Sequence, residues 1–318
     1  MTTGIRYSIV VPVYGNAASL PDLCARLETI AANLDAPLEV VFVSDGSPDN
    51  SHEVLKGLLP HASFASQLLA HSRNFGSFAA IRTGMASSRG EHVGVMAADL
   101  QEPPELMLEF FRLLASGAVD IAVGRREIRF DPRMSRMSSS FFWKVYRRWV
   151  FPEMPEGGVD IFACNSAVTA EILTLGESHT SLVGLLYWVG FRRAEVPYER
   201  LPREHGTSGW SFRAKVRYLL DSVFSFTDLP LTLLIAVGVM GGTVTALVSV
   251  VVLISFLTGG IRSPGYTPLM LVILFSTFIL LLALGIVGSY VWRSFENTKR
   301  RPNAIVMSRW ISDDTTGG

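Results

Sequence analysis

The stretch Tyr7-Ser8-Ile9-Val10-Val11-Pro12-Val13 runs straight into Tyr14-Gly15-Asn16, so a mostly apolar, β-branched segment stops abruptly on turn residues. A short run of this kind predicts a strand buried on both faces. The pattern recurs at Leu38–Val43, Gln67–His71, His92–Met96 and Val119–Val123, each followed by a cluster containing Gly, Pro, Asp or Asn. Between the runs lie stretches with helical spacing, such as Leu20, Leu23, Leu27, Ile30 and Leu34, which opens after Ser19, a suitable N-cap. Strand alternating with helix predicts an α/β, Rossmann-like fold with a mostly parallel sheet covered on both sides. Ligands of such sheets bind beyond the carboxyl ends of the strands. One shared site is therefore expected from five loops: Tyr14 and Asn16, Asp45 and Ser47, Arg73 and Asn74, Asp99 and Gln101, Arg125 and Arg126.

The chain has 318 residues, with 28 basic and 28 acidic side chains, and a mean hydropathy of +0.33. Balanced charge argues against a nucleic-acid binder, which would show a basic excess. The raised hydropathy has a local source, because residues 231–257 and 268–292 contain no Asp, Glu, Lys or Arg. Each run exceeds the roughly 20 residues a helix needs to cross a hydrocarbon core, which predicts two transmembrane helices. Arg213, Lys215 and Arg217 precede the first run and Arg293, Lys299, Arg300 and Arg301 follow the second, whereas the connecting loop carries only Arg262. That bias predicts both termini, and the α/β domain, on the cytoplasmic side. Ser211–Asp228 mixes these basic residues with Leu219, Leu220, Val223, Phe224 and Phe226, as an interfacial helix would; a docking helix of the α/β domain is the other reading.

The expected division is thus an α/β domain over 1–210, an interfacial amphipathic helix over 211–228, a two-helix anchor over 229–292 and a cytoplasmic tail over 293–318. No charge inside the apolar runs marks an ion path, so a transporter reading lacks its usual sign. The N-terminus shows no signal-peptide pattern. Cys24 and Cys164 are too few for a disulfide framework or zinc site, as expected in a reducing compartment.

Two motifs, Pro12-Val13-Tyr14-Gly15-Asn16 and Val43-Ser44-Asp45-Gly46-Ser47-Pro48-Asp49-Asn50-Ser51, resemble the nucleotide-sugar signatures of family 2 glycosyltransferases with the GT-A fold. The segment Val95-Met96-Ala97-Ala98-Asp99-Leu100-Gln101-Glu102-Pro103-Pro104-Glu105 is similar to the Asp-x-Asp-Leu-Gln-x-Pro-Pro-Glu element of polyprenyl-phosphate glycosyltransferases, relatives of dolichyl-phosphate mannose synthase and the bactoprenol glucosyltransferases. Here Ala97 replaces the first Asp of that element. An Asp and a neutral amide oxygen after a buried strand suit Mg²⁺ or Mn²⁺, which take their remaining ligands from water and phosphate. Asp99 and Gln101 are accordingly the expected metal residues, with a helix N-cap role as the other reading of Asp99.

The resemblance extends through His71-Ser72-Arg73-Asn74-Phe75-Gly76, Gly124-Arg125, and Gly157-Gly158-Val159-Asp160-Ile161-Phe162-Ala163-Cys164-Asn165, where Ile161-Phe162 departs from the family's Phe-Arg. It continues in Tyr198-Glu199-Arg200-Leu201-Pro202-Arg203-Glu204-His205-Gly206-Thr207-Ser208 before the first apolar run and closes on Glu296-Asn297-Thr298-Lys299-Arg300-Arg301-Pro302 after the second, so that it covers nearly the whole chain. It implies Pro12, Tyr14, Asp45, Arg73, Asp99 and Arg203 as donor-binding residues. Arg125, Arg136, Arg203 and Ser208 become acceptor or phosphate residues. Asp160 becomes a catalytic residue with Asp99, either as base or as a group that orients the acceptor. A phosphomonoester has a second pKa near 6 and needs little deprotonation at pH 7.

The implied activity is inverting transfer of a hexose, by default glucose from a UDP sugar, to an undecaprenyl-type polyprenyl phosphate at the cytoplasmic face of the cell membrane, by a homo-oligomer. GDP-mannose as donor remains open. Ala97 and the altered Asp160 segment leave open a non-catalytic nucleotide-sugar-binding scaffold. A processive polysaccharide synthase is weakened by the absence of a Gln-x-x-Arg-Trp element.

Overall fold

A computed structural model describes residues 4–127, 146–148, 150–155, 158–176, 181–201, 212–258, 265–299 and 301–312. The expected strands form: β1 (Tyr7–Val13), β2 (Leu38–Ser44), β3 (Ala65–His71), β4 (His92–Val95) and β5 (Ile121–Arg126). They alternate with α1 (Leu20–Asn33), α2 (Ser51–Leu58), α3 (Ser77–Ser87) and α4 (Leu106–Ala115). There follow β6 (Phe162–Asn165), α5 (Ser166–Thr174), α6 (Leu182–Trp188), β7 (Arg193–Tyr198), α7 (Phe212–Phe226), α8 (Leu229–Leu257), α9 (Tyr266–Thr298) and β8 (Val306–Ser312).

The strands make one mixed sheet in the order β7-β5-β6-β4-β1-β2-β3-β8. Strands β3, β2, β1 and β4 run parallel, while β6 is antiparallel to both β4 and β5. Buried strands explain the apolar runs: every residue of β2 and β3 is buried, and a separate hydrophobic cluster covers each sheet face. After β3 the chain returns to the other side of β1 to lay down β4, so a crevice opens beyond the carboxyl ends of β1 and β4. Helix α1 starts where expected, but Ser19 makes no side-chain cap bond. Its hydroxyl instead donates to the Ala98 carbonyl at 2.6 Å, tying the loop after β1 to the loop after β4.

One expectation is corrected at the C-terminus. Residues 306–312 are not simply a tail: they form β8, antiparallel to β3, with Leu68 opposite Trp310. The physical reason is an otherwise unpaired sheet edge. Trp310 packs against the cluster on one face, and Arg309 on the other face donates to Ser87 Oγ at 3.0 Å.

Helices α8 and α9 have 29 and 33 residues, about 43 and 50 Å at 1.5 Å per residue. Their described large apolar side chains stand exposed, among them Val239, Leu247, Val251, Leu281 and Leu284. The segment Phe275–Thr298 of α9 is long and apolar enough to cross a membrane, and the end of α7 with the start of α8 passes the same test as a pair bent by 78°. Helix α7 joins these two helices to the α/β domain. Gly184 of α6 leaves room for the Phe226 ring, which a Cβ there would meet at 2.4 Å. At the other side Asp221 accepts from Arg293 of α9 at 2.7 Å, and the Phe224 and Tyr290 rings lie 5.3 Å apart. Because β8 follows α9 and belongs to the same sheet, both ends of the α8–α9 pair return to the α/β domain.

Candidate active site

The crevice is built by cross-links between loops that are distant in sequence. After β1, the Gly15 N–H donates to Ser47 Oγ at 2.8 Å, the Asn16 N–H to Ser51 Oγ at 3.1 Å and the Ala17 N–H to Asp49 Oδ2 at 3.0 Å. Burial opposes the charge on Asp49, but bonds from Ser47, Ser51 and the Ala17 N–H outweigh it and carry the carboxyl down to about 2. This clamp is therefore ionised at any physiological pH. Tyr14, half exposed at the crevice mouth, and Pro12, partly buried at the end of β1, stand beside it.

Asp45 has a different position from the ligand-facing one the sequence suggests. It is buried, and its carboxylate accepts from His71 Nδ1 at 2.8 Å, the Phe75 N–H at 2.8 Å and the Gly76 N–H at 2.7 Å. Burial alone would raise its pKa; the hydrogen bonds from His71 and the two N–H groups reverse that and hold it below the usual carboxylate range. Asp45 thus shapes the loop after β3, which presents exposed Arg73 with its guanidinium over the Phe75 ring at 4.0 Å.

Gly46 makes the crossing of these two loops possible. Its φ is +60°, and a Cβ would lie 2.5 Å from the backbone of Arg73 and of Asn74. Gly46→Ala is expected to lower stability by about 2–4 kcal/mol, from a strained left-handed residue plus displaced backbone. Denaturant melts and UDP calorimetry on the variant test this; a variant with unchanged stability and nucleotide affinity would refute the loop-crossing account.

On the other side of the crevice, Asp99, Glu102 and Asp160 form an acidic cluster held by arginines. Asp99 is partly buried and its Oδ1 accepts from the Gln101 N–H at 3.3 Å; helix α4 begins only at Leu106 with Glu105 as its N-cap, so Asp99 is not a helix cap. Between them, Leu100 has a φ of +57°, the only non-glycine in the left-handed region among the described residues. Such strain persists only where surroundings enforce it, and it concentrates at functional loops. Here Arg200 enforces it: its Nη2 donates to Gln101 Oε1 at 2.6 Å, its Nε lies 3.3 Å from Glu102 Oε1, and the next N–H, of Leu201, donates to the Gln101 carbonyl at 2.9 Å.

Asp160, at the entrance to β6, pairs with Arg126 and lies 3.4 Å from the Tyr198 hydroxyl. Burial disfavours the Arg126 cation, but Asp160 more than compensates and raises its pKa, so it stays charged. Arg125 does not share this position. Successive residues of a strand face opposite sides, and Arg125 reaches Glu195 at 3.4 Å and Glu127 at 4.0 Å instead. Arg125, expected at the phosphates, is thus paired away from the acidic cluster, and Arg126 is the arginine turned to it.

Glu102 was not singled out from the sequence. It is 2% exposed, and burial first, then the nearby Asp160 and Asp99 charges, push its carboxyl up to about 7 against the opposing pull of Arg200 and Arg126. Arg136, Arg203 and Ser208 lie outside the described residues.

Among the described residues no group of three or more His, Cys, Asp or Glu side chains is arranged to hold a metal ion. Asp99 alone, with Gln101 already engaged by Arg200, fits an ion of the Mg²⁺ or Mn²⁺ type that draws its other ligands from water and substrate phosphates.

A Rossmann-like sheet with an acidic cluster at its switch-point crevice defines the GT-A class of nucleotide-sugar glycosyltransferases. Residues 8–173 match the profile of glycosyl transferase family 2, and the chain belongs to that family. It is similar to CsbB of Bacillus subtilis (strain 168), a protein named as a glycosyltransferase by inference, at 32% identity over 94% of this chain and 90% of that one. It is 26% identical to the bactoprenol glucosyl transferase of Shigella phage SfX, over 96% of this chain and all of that one. Its fold resembles glucosyl-3-phosphoglycerate synthase from Mycobacterium tuberculosis, solved with Mn²⁺, UDP-glucose and phosphoglyceric acid, with a TM-score of 0.51, 13% identity, and 70% and 79% of the two chains covered. The chain is therefore a glycosyltransferase.

Proposed function

We propose that this enzyme transfers a hexose, by default glucose from UDP-glucose, to a polyprenyl phosphate of the undecaprenyl type, with inversion, at the cytoplasmic face of the cell membrane. The observation that carries this reading is the junction of a GT-A crevice to two long helices with exposed apolar side chains, through an α7 that contacts both. An acceptor dissolved in the bilayer requires such a junction. The bactoprenol named for the phage relative is consistent with it. A chain whose segments before α8 and after α9 belong to one sheet crosses a bilayer an even number of times, which supports two spans.

In the proposed reaction an acceptor phosphate oxygen attacks the anomeric carbon on the face opposite the nucleotide. The new carbon–oxygen bond forms as the bond to the diphosphate breaks, and UDP leaves. Tyr14 and Arg73 receive the nucleotide, with Pro12 bounding the pocket and Asp45 holding the Arg73 loop. Asp99 would hold the divalent ion, which would neutralise charge on the departing diphosphate, and Gln101 would support it through the loop that Arg200 fixes. Arg203 stabilises the same charge. The Arg126–Asp160 pair orients the acceptor, and Arg136 and Ser208 assist in binding its phosphate; Arg125 keeps only a peripheral part. A homo-oligomer is part of this reading by resemblance to the family.

The test is turnover by membranes containing the full chain, given labelled UDP-glucose, other UDP-hexoses or GDP-mannose with a short polyprenyl phosphate. A labelled, chloroform-extractable lipid monophosphate sugar is the expected product. Nucleotide-sugar binding without transfer to any lipid would identify a scaffold instead, and a polymer would identify a synthase.

A further inference from the structure

The sheet edge beside the nucleotide loop is completed by the part of the chain that leaves the membrane anchor. Only residues 299–304 separate the end of α9 from Ile305, a stretch that spans at most about 24 Å. The Ile305 carbonyl accepts from the Ser72 N–H at 3.0 Å, and Val306 stands opposite His71. The pairing then jumps, because Ala70 faces Ser308, so Met307 is an extra residue opposite the Ala70–His71 step. Bulges of this kind re-aim neighbouring side chains next to functional sites. Beside this bulge stands buried His71, which bonds Asp45 through Nδ1 and lies 3.0 Å from Thr83 Oγ1 through Nε2.

The loop 72–76 is consequently fixed at both ends. At its start Ser72 is held by Ile305; at its finish the Phe75 and Gly76 N–H groups are held by Asp45. Nothing in the catalytic sequence motifs would assign the first of these restraints to a segment more than two hundred residues away in sequence.

We infer that β8 is a positioning element for donor binding: by pairing with β3 through Ile305 and Val306 it sets the 72–76 loop for the nucleotide, and so couples the exit of the membrane anchor to the donor pocket. The inference rests on the donor-site reading given above. Loss of β8 then affects donor binding and leaves the lipid acceptor's interactions in place.

The experiment uses the membrane-embedded enzyme with its chain ended after Asn303, and a full-length Trp310→Ala variant that weakens packing of β8 without removing it. Donor KM, UDP affinity by calorimetry, acceptor KM and kcat are measured for each. The expected result is a donor KM and UDP Kd raised about tenfold or more on truncation, less for Trp310→Ala, with acceptor KM within about twofold. A synthetic peptide of residues 303–313 added in trans re-pairs with the open edge and restores donor affinity to the truncated enzyme. Unchanged donor affinity in both variants overturns the inference, as do parallel rises in donor and acceptor KM that the peptide does not reverse. If truncation prevents folding, Trp310→Ala decides alone by the same donor-to-acceptor comparison. Failure of the intact enzyme to bind UDP or any nucleotide sugar sinks the donor-site reading itself, and this inference with it.

Discussion

Replacement of Asp160 by asparagine is expected to slow sugar transfer by about 10²–10³-fold while leaving donor KM within about threefold. The argument starts from the pair it makes with Arg126, whose side chain is only 12% exposed. Removing the carboxylate charge leaves that cation without its main partner, and an unpaired cation in the crevice captures the acceptor phosphate in an unproductive position. The pH dependence separates this orienting role from proton abstraction. Above about pH 7 the phosphate of the proposed polyprenyl acceptor is already mostly dianionic, so a variant lacking only a base recovers as the pH rises through 6 to 8. A variant lacking the orienting pair does not. The expected outcome is therefore a deficit that persists at pH 8, measured as kcat with saturating polyprenyl phosphate. A loss smaller than about fivefold, or full recovery at pH 8, would count against the assignment.

The sequence made the scaffold of this site legible because buried parallel strands have to be written as apolar runs. Tyr7–Val13 and His92–Val95 could be located from their apolar pattern, and Tyr14, Asp45, Arg73 and Asp99 all lie in the loops that follow strands β1 to β4, where ligands of such sheets bind. Features that depend on a partner distant in the chain were not legible. The segment Val306–Ser312 alternates polar and apolar residues weakly enough to pass for a tail, and only the open edge of β3 makes it a strand. Whether Arg125 or Arg126 faces the crevice is a matter of strand register, which a dipeptide of identical residues cannot reveal. Glu102 reads as an ordinary acidic residue before Pro103-Pro104; its importance arises from burial beside Asp99, Asp160 and Arg200, contributed by segments up to about a hundred residues apart. Asp45 shows the reverse case, since its motif suggests a ligand contact and the structure gives its oxygens to the protein's own N–H groups.

Asp99→Ala is expected to be the most damaging single change, lowering transfer by about 10³-fold or more and abolishing stimulation by Mg²⁺ or Mn²⁺. Ala97 already occupies the first position of the motif's Asp-x-Asp pair, so Asp99 is the one aspartate of that pair left to meet a cation beside a diphosphate. Charge neutralisation on a leaving group contributes several kcal/mol to the barrier, and about 4 kcal/mol corresponds to a thousandfold in rate. The side chain is also held in a loop whose backbone is set by the left-handed Leu100 and by Arg200 on Gln101. Rates measured against metal concentration, with EDTA-treated wild-type as the reference, decide the matter: the variant should match the chelated wild-type enzyme and should not respond to added metal. The complementary change, Ala97→Asp, restores a second carboxylate on the partly exposed turn after β4 and is expected to lower the metal concentration for half-maximal activity by about tenfold. Undiminished, metal-stimulated transfer by Asp99→Ala would place the cation elsewhere and remove the acidic turn from the chemistry.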